Sequence, residues 1–202
     1  MTFNVQFTPL AIALVAFCLI RNADAAIGLD RTRVIFDGSK DAVSMSITNN
    51  NTQLPYLAQG WIEDEQGNKI STPLTVLPPV QRLEPGKNSQ VKVQALPAAK
   101  SLAQDRETVY YFNLREIPPR SDKANTLQIA LQTRIKLFYR PASIVPSQQE
   151  RANPWQQKLT LTQVADRYQV HNPTPYYVTL VDAKNSKSGK TAAGFEPLMV
   201  PP

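Results

Sequence analysis

Side chains able to do acid-base, nucleophilic or metal chemistry are few in this chain and scattered. The 202 residues hold a single histidine, His171, which precedes Asn172-Pro173 and has no cysteine or second histidine with which to share a metal. "SGKT" at residues 188 to 191 resembles the end of a phosphate-binding loop, but Lys184 stands where that loop needs its first glycine. There is no Gly-x-Ser-x-Gly, and no carboxylates are spaced to hold a metal. Binding chemistry is better represented. "TLQIALQTRIKLFYRP", residues 126 to 141, alternates apolar and polar side chains and gathers Arg134, Lys136 and Arg140 at its end. The alternation predicts a strand, with Leu127, Ile129 and Leu131 on one face. It leaves open whether those three face this protein's own core or something else.

The elements around that stretch are of the same kind. "RVIFDG", "AVSMSITNN", "LAQGWIEDEQGNK", "SQVKVQAL" and "TVYYFNLREIPP" are short β-like runs separated by turn residues, spaced as in an antiparallel sandwich. Seven glycines against seventeen prolines mean that proline sets most connections and keeps them extended. Helix should be minor, with "AAKSLAQD" the best site for a short one. The polar, proline-bounded "PASIVPSQQERANP" reads as an interdomain linker, and a second set of strands follows from Trp155. The organisation predicted is a leader over 1–25, a first domain over 26–146, a linker over 147–153 and a second domain over 154–202.

The leader rests on an apolar run from Leu10 to Ile20 followed by Ala23-Asp24-Ala25, a small-x-small cleavage pattern. The run is well short of the ~20 residues that span a bilayer. Cleavage after Ala25 would remove Cys18, the one cysteine, so the mature chain would be held by packing without an internal disulfide. It would also remove one Arg and one Asp, leaving the formal charge at +6. A basic exported protein suits an acidic or carboxylate-bearing partner, and export argues against nucleic acid.

The segment "LAQDRETVYYFNLREIPP", residues 102 to 119, resembles the signature of the periplasmic pilus-assembly chaperones. "LDRTRVIFDG", "QLPYLAQGWIE", "PPVQRLEPG", "IKLFYRP" and "NPTPYYVTL" are similar to the P-pilus branch of that family in the same order, over almost all of residues 27 to 181. The resemblance implies an all-β protein of two immunoglobulin-like sandwiches set as a boomerang. It implies a chaperone that lends a strand to incomplete pilus subunits, the adhesin among them, and delivers them to an outer-membrane usher without cofactor or nucleotide. In this reading Leu127, Ile129 and Leu131 match the donated side chains, Arg33 and Lys136 match the anchor for the subunit's terminal carboxylate, and Glu107 and Arg140 match members of a buried interdomain charge cluster.

Three further expectations follow. Lys136 is even-numbered while the donated side chains are odd, so a β-bulge or marked twist between Gln132 and Ile135 is expected to bring it back to the cleft. The resemblance fades after Ala183, so the second sandwich is expected to be incomplete; a truncated, inactive relative is the alternative reading, and a secreted hydrolase on a sandwich scaffold a more distant one. A long apolar edge would also permit self-association through the donor strand.

Overall fold

Period-two burial builds the first domain. In the computed structural model, which describes residues 25–202, strands β3 (Ala42–Asn49) and β8 (Asn88–Ala95) turn Met45, Ile47, Val91 and Val93 inward. Facing them, β9 (Thr108–Ile117) and β10 (Gln132–Arg140) turn in Tyr110, Phe112 and Leu114, and Ile135, Leu137 and Tyr139. Their outward-facing partners are mostly polar or aromatic, the pattern of sheets packed on one face. The leader expected over 1–25 lies, but for Ala25, outside the described residues.

One sheet runs β1 (Ile27–Leu29), β3, β8, β6 (Leu74–Leu77). The other runs β2 (Arg33–Asp37), β10, β9, β4 (Tyr56–Glu63), β5 (Lys69–Ile70), with β7 (Val80–Leu83) also on β4. Nearly all pairings are antiparallel, but β2 lies parallel to β10. At Gly60 of β4 the opposite sheet leaves no room for a side chain: a Cβ there would come within 2.8 Å of Val76 Cγ1 on β6.

The chain changes sheets between β1 and β2. Asp30 makes that crossover: its N–H donates to Ser46 O at 3.1 Å, and its carboxylate accepts from Ser46 N at 3.1 Å and from Arg31 at 2.8 Å. The Arg31 hydrogen bond leads in holding the Asp30 carboxyl down at about 2.

The second domain is more sparsely packed. A hairpin, β11 (Thr160–Val164) with β12 (Arg167–His171), exposes nearly every side chain, and a second ladder pairs β13 (Val178–Leu180) with β14 (Leu198–Val200). Val178 and Val200 are buried there, beside a polar knot in which Asn172 Nδ2 donates to Tyr176 O and Pro201 O and Thr174 Oγ1 donates to Asn172 Oδ1.

Three expectations are corrected. The strand expected from Thr126 begins at Gln132. Its last rung is Glu116 N to Leu131 O at 3.0 Å; beyond that the opposite chain is Pro118-Pro119, which has no N–H to offer. No bulge interrupts β10: from Gln132↔Arg115 to Tyr139↔Thr108 the register with β9 advances one for one. The segment "AAKSLAQD" holds only a 3-10 turn ending at Ser101, while the one α-helix among the described residues, α1 (Gln148–Ala152), sits in the expected linker. Ser147 and Glu150 cap α1 reciprocally, the signal for which is the Ser-x-x-Glu spacing of the sequence.

Candidate functional site: an open strand edge and the charges at its end

The regular ladder of β10 sorts its side chains cleanly. Odd positions from Ile135 to Tyr139 face the sandwich interior, and Arg134, Lys136, Phe138 and Arg140 lie on the other face, where the last three meet the second domain. Leu127, Ile129 and Leu131 keep the odd parity but lie beyond the end of the core. They are 84%, 65% and 42% exposed, so this protein's own interior does not use them.

The backbone edge beside them is also open. β2 borders β10 only from Lys136 to Arg140, because it starts at Arg33, the register partner of Lys136. Residues 132 to 135 pair with β9 on one side, and on the other no strand among the described residues meets them. The slot therefore ends at two adjacent cations.

Arg33 is exposed and Lys136 half-buried, and among the described residues neither has a carboxylate within ion-pair distance. Burial, and then the neighbouring Arg33 charge, lower the pKa of the Lys136 ammonium. Its Nζ donates to Thr179 Oγ1 at 3.1 Å, across to β13 of the second domain. An incoming carboxylate would relieve the like-charge repulsion.

Next along the same face, Arg134 lies 3.5 Å over the Tyr111 ring and donates from Nε to Glu63 Oε2 at 2.9 Å. Trp61 Nε1 donates to Glu63 Oε1 at 2.8 Å. Burial alone would raise the Glu63 pKa, but these hydrogen bonds outweigh it and leave it lowered. The sequence gives no hint of this network, whose members come together only through strand pairing.

At the far end of β10, Arg140 donates to Glu107 Oε1 from Nε at 2.9 Å and from Nη2 at 2.7 Å, with the two side chains 10% and 2% exposed. Glu107 Oε2 accepts from Tyr177 N at 2.8 Å, and Glu107 N donates to Pro175 O at 2.9 Å, so the pair joins the first domain to the second. The Arg140 guanidinium also lies 4.7 Å from the Tyr176 ring centroid. Burial raises the Glu107 pKa, and the Tyr177 N–H and Arg140 work against that rise.

The structure thus brings Arg33 to Lys136 and Glu107 to Arg140, and it leaves Leu127, Ile129 and Leu131 in solvent. His171 ends β12 exposed, and the described residues hold no cluster of metal-ligating side chains.

Comparison with known proteins accords with this geometry. Residues 26–145 match the family described as pili and flagellar-assembly chaperone, PapD N-terminal domain, and residues 154–202 match the corresponding PapD C-terminal domain. The chain is 52% identical to the probable fimbrial chaperone YfcS of Escherichia coli K12 over 98% of its own length and 79% of that protein's. It is also 52% identical to the chaperone protein PapD of Escherichia coli, over 94% and 79%. Among solved structures, the periplasmic chaperone SfaE superimposes with a TM-score of 0.68 at 32% identity, covering 87% of this chain and 83% of SfaE. The Salmonella enterica SafA pilin–SafB chaperone complex gives 0.71 at 25% identity, covering 90% and 82%. Two immunoglobulin-like β domains are what these relatives share, and this chain belongs to the pilus-assembly chaperone family.

Proposed function

We propose that the protein is a periplasmic chaperone that binds pilus subunits, lends them the strand they lack and presents them to an outer-membrane usher. The observation that carries this reading is the open edge of β10, which ends at Arg33 and Lys136 and continues into three exposed apolar side chains. A subunit strand in that slot would extend the line of β2, and with its terminal carboxylate beside the two cations it would run parallel to β10. Leu127, Ile129 and Leu131 would enter the subunit's unfinished core as the backbone of 127–135 pairs with the added strand.

The opposite parity of Leu131 and Lys136 is compatible with both roles. A carboxylate at the end of a strand lies near the plane of the sheet and can be approached from either face, so a long lysine reaches it without a bulge. Burying three such apolar side chains is worth ~1.5 to 3 kcal/mol each, ~5 to 9 kcal/mol in all before ordering costs are subtracted. No covalent step enters this scheme.

The leader over 1–25, the first domain over 26–146, the linker over 147–153 and the second domain over 154–202 are the organisation we assign. Periplasmic residence accords with the apolar run and small-x-small pattern before Ala26 and with the description of SfaE as a periplasmic chaperone. Co-expression in the periplasm with a partner pilin tests the reading: a one-to-one complex is expected, and it should be lost with Arg33→Ala or Lys136→Ala. A complex indifferent to both substitutions would reject the carboxylate anchor.

A further inference from the structure

Two lines of residues face each other across the domain junction in antiparallel order. Arg140 lies against the 175–177 segment, the Phe138 and Tyr177 rings are 5.7 Å apart, and Lys136 Nζ reaches Thr179 Oγ1 at 3.1 Å. Tyr177 and Thr179 are two apart on extended backbone, so they share a face, as do Phe138 and Lys136. The placement of Thr179 is therefore set upstream. Glu107 grips residues 175 and 177 through Pro175 O and Tyr177 N, and the Tyr176 hydroxyl donates to Ile144 O at 2.7 Å.

A threonine at this point does something a carboxylate could not. An Asp or Glu would hold the lysine but neutralise it, removing half the charge that a ligand needs. The neutral Oγ1 accepts one ammonium proton and leaves the positive charge in place beside Arg33. Because Oγ1 acts as acceptor towards Lys136, its own proton is free to point elsewhere. Thr179 is exposed, so an incoming anion can reach it.

We propose that Thr179 is a third member of the carboxylate anchor, supplied by the second domain: it orients the Lys136 ammonium towards Arg33 and donates its hydroxyl proton to the bound carboxylate. The inference rests on the anchor reading above and extends it. Its consequence is that the buried Glu107–Arg140 pair acts on binding at a distance, by fixing the segment that carries Thr179. The anchor is then complete only when the two domains are docked.

The probe is a synthetic peptide of the C-terminal strand of the pilin that co-purifies with the chain, made with a free carboxylate and with a terminal amide. The wild-type chain should prefer the carboxylate form. Thr179→Val, which keeps the shape and removes the hydroxyl, should cut that preference about tenfold by weakening carboxylate binding alone. Thr179→Ser should restore it. Amide binding unchanged in all three proteins would exclude a general structural defect. Full preference retained by Thr179→Val overturns the role of Thr179 while leaving the Arg33–Lys136 anchor intact. Equal binding of both peptides by the wild-type chain overturns the anchor itself, and this inference with it.

Discussion

Residues 127–131 and 135–139 each place a large apolar or aromatic side chain at every odd position, yet those side chains end in opposite environments. Ile135, Leu137 and Tyr139 are buried in the first sandwich, whereas Leu127, Ile129 and Leu131 stand in solvent. What separates the halves is the set of neighbours: β9 runs beside the second half and gives way to Pro118-Pro119 beside the first, and β2 starts only at Arg33. Period-two patterning specifies that a strand needs a core. It does not specify whose core it is.

The sharpest way to break this contrast is at the buried end. Arg140→Ala should leave Glu107 as an uncompensated buried carboxylate and cost about 3 to 5 kcal/mol, measured by urea unfolding. Arg134→Ala, six residues earlier on the same face, removes a partly exposed pair and should cost at most about 1 kcal/mol. Equal losses from both would mean that the two ends of the strand do not differ in kind.

The apolar side chains offer the same test in reverse. Leu137→Ala should destabilise the free chain by about 2 to 5 kcal/mol through the cavity it leaves, while Ile129→Ala should stay within about 0.5 kcal/mol of wild type. In the presence of a subunit the ranking should change. Ile129→Ser should weaken the complex by roughly 10- to 100-fold, the worth of one buried aliphatic side chain, in a titration of purified partners. An unchanged Kd would return Ile129 to the class of ordinary exposed residues.

Much of the first domain is legible in the sequence: β3 and β8 alternate cleanly, while β9 and β10, buried on both faces over part of their length, still read as long runs rich in aromatic and β-branched residues. The three- and four-residue strands β1, β6 and β7 are too short to display a period, and the exchange of sheets between β1 and β2 depends on backbone contacts with Ser46. The end of β10 at Gln132 is illegible for another reason: it is decided by prolines on a neighbouring chain segment. At the site, the resemblance points to Arg33, Lys136, Glu107 and Arg140, and the fold brings them together in pairs. Thr179 and the Glu63–Arg134 bond lie 43 and 71 residues from their partners, and nothing local marks them.

The smallest effect should come from the residue that decides where the two halves meet. Asp30 fixes the crossover before β2 and so sets Arg33 opposite Lys136. Its carboxyl is held at about 2 in the folded chain, against ~3.9 in an unfolded one. A depressed carboxylate pKa stabilises the fold above the unfolded value, and that contribution drains away as pH falls from about 4 towards about 2. The pair is partly exposed and screened by solvent, so the loss should be modest. Asp30→Asn should flatten the pH dependence of unfolding in this window relative to wild type, while preserving the Ser46 N contact through its amide oxygen. An Asn variant that tracks the wild-type profile down to pH 2 would show that the crossover does not depend on this charge.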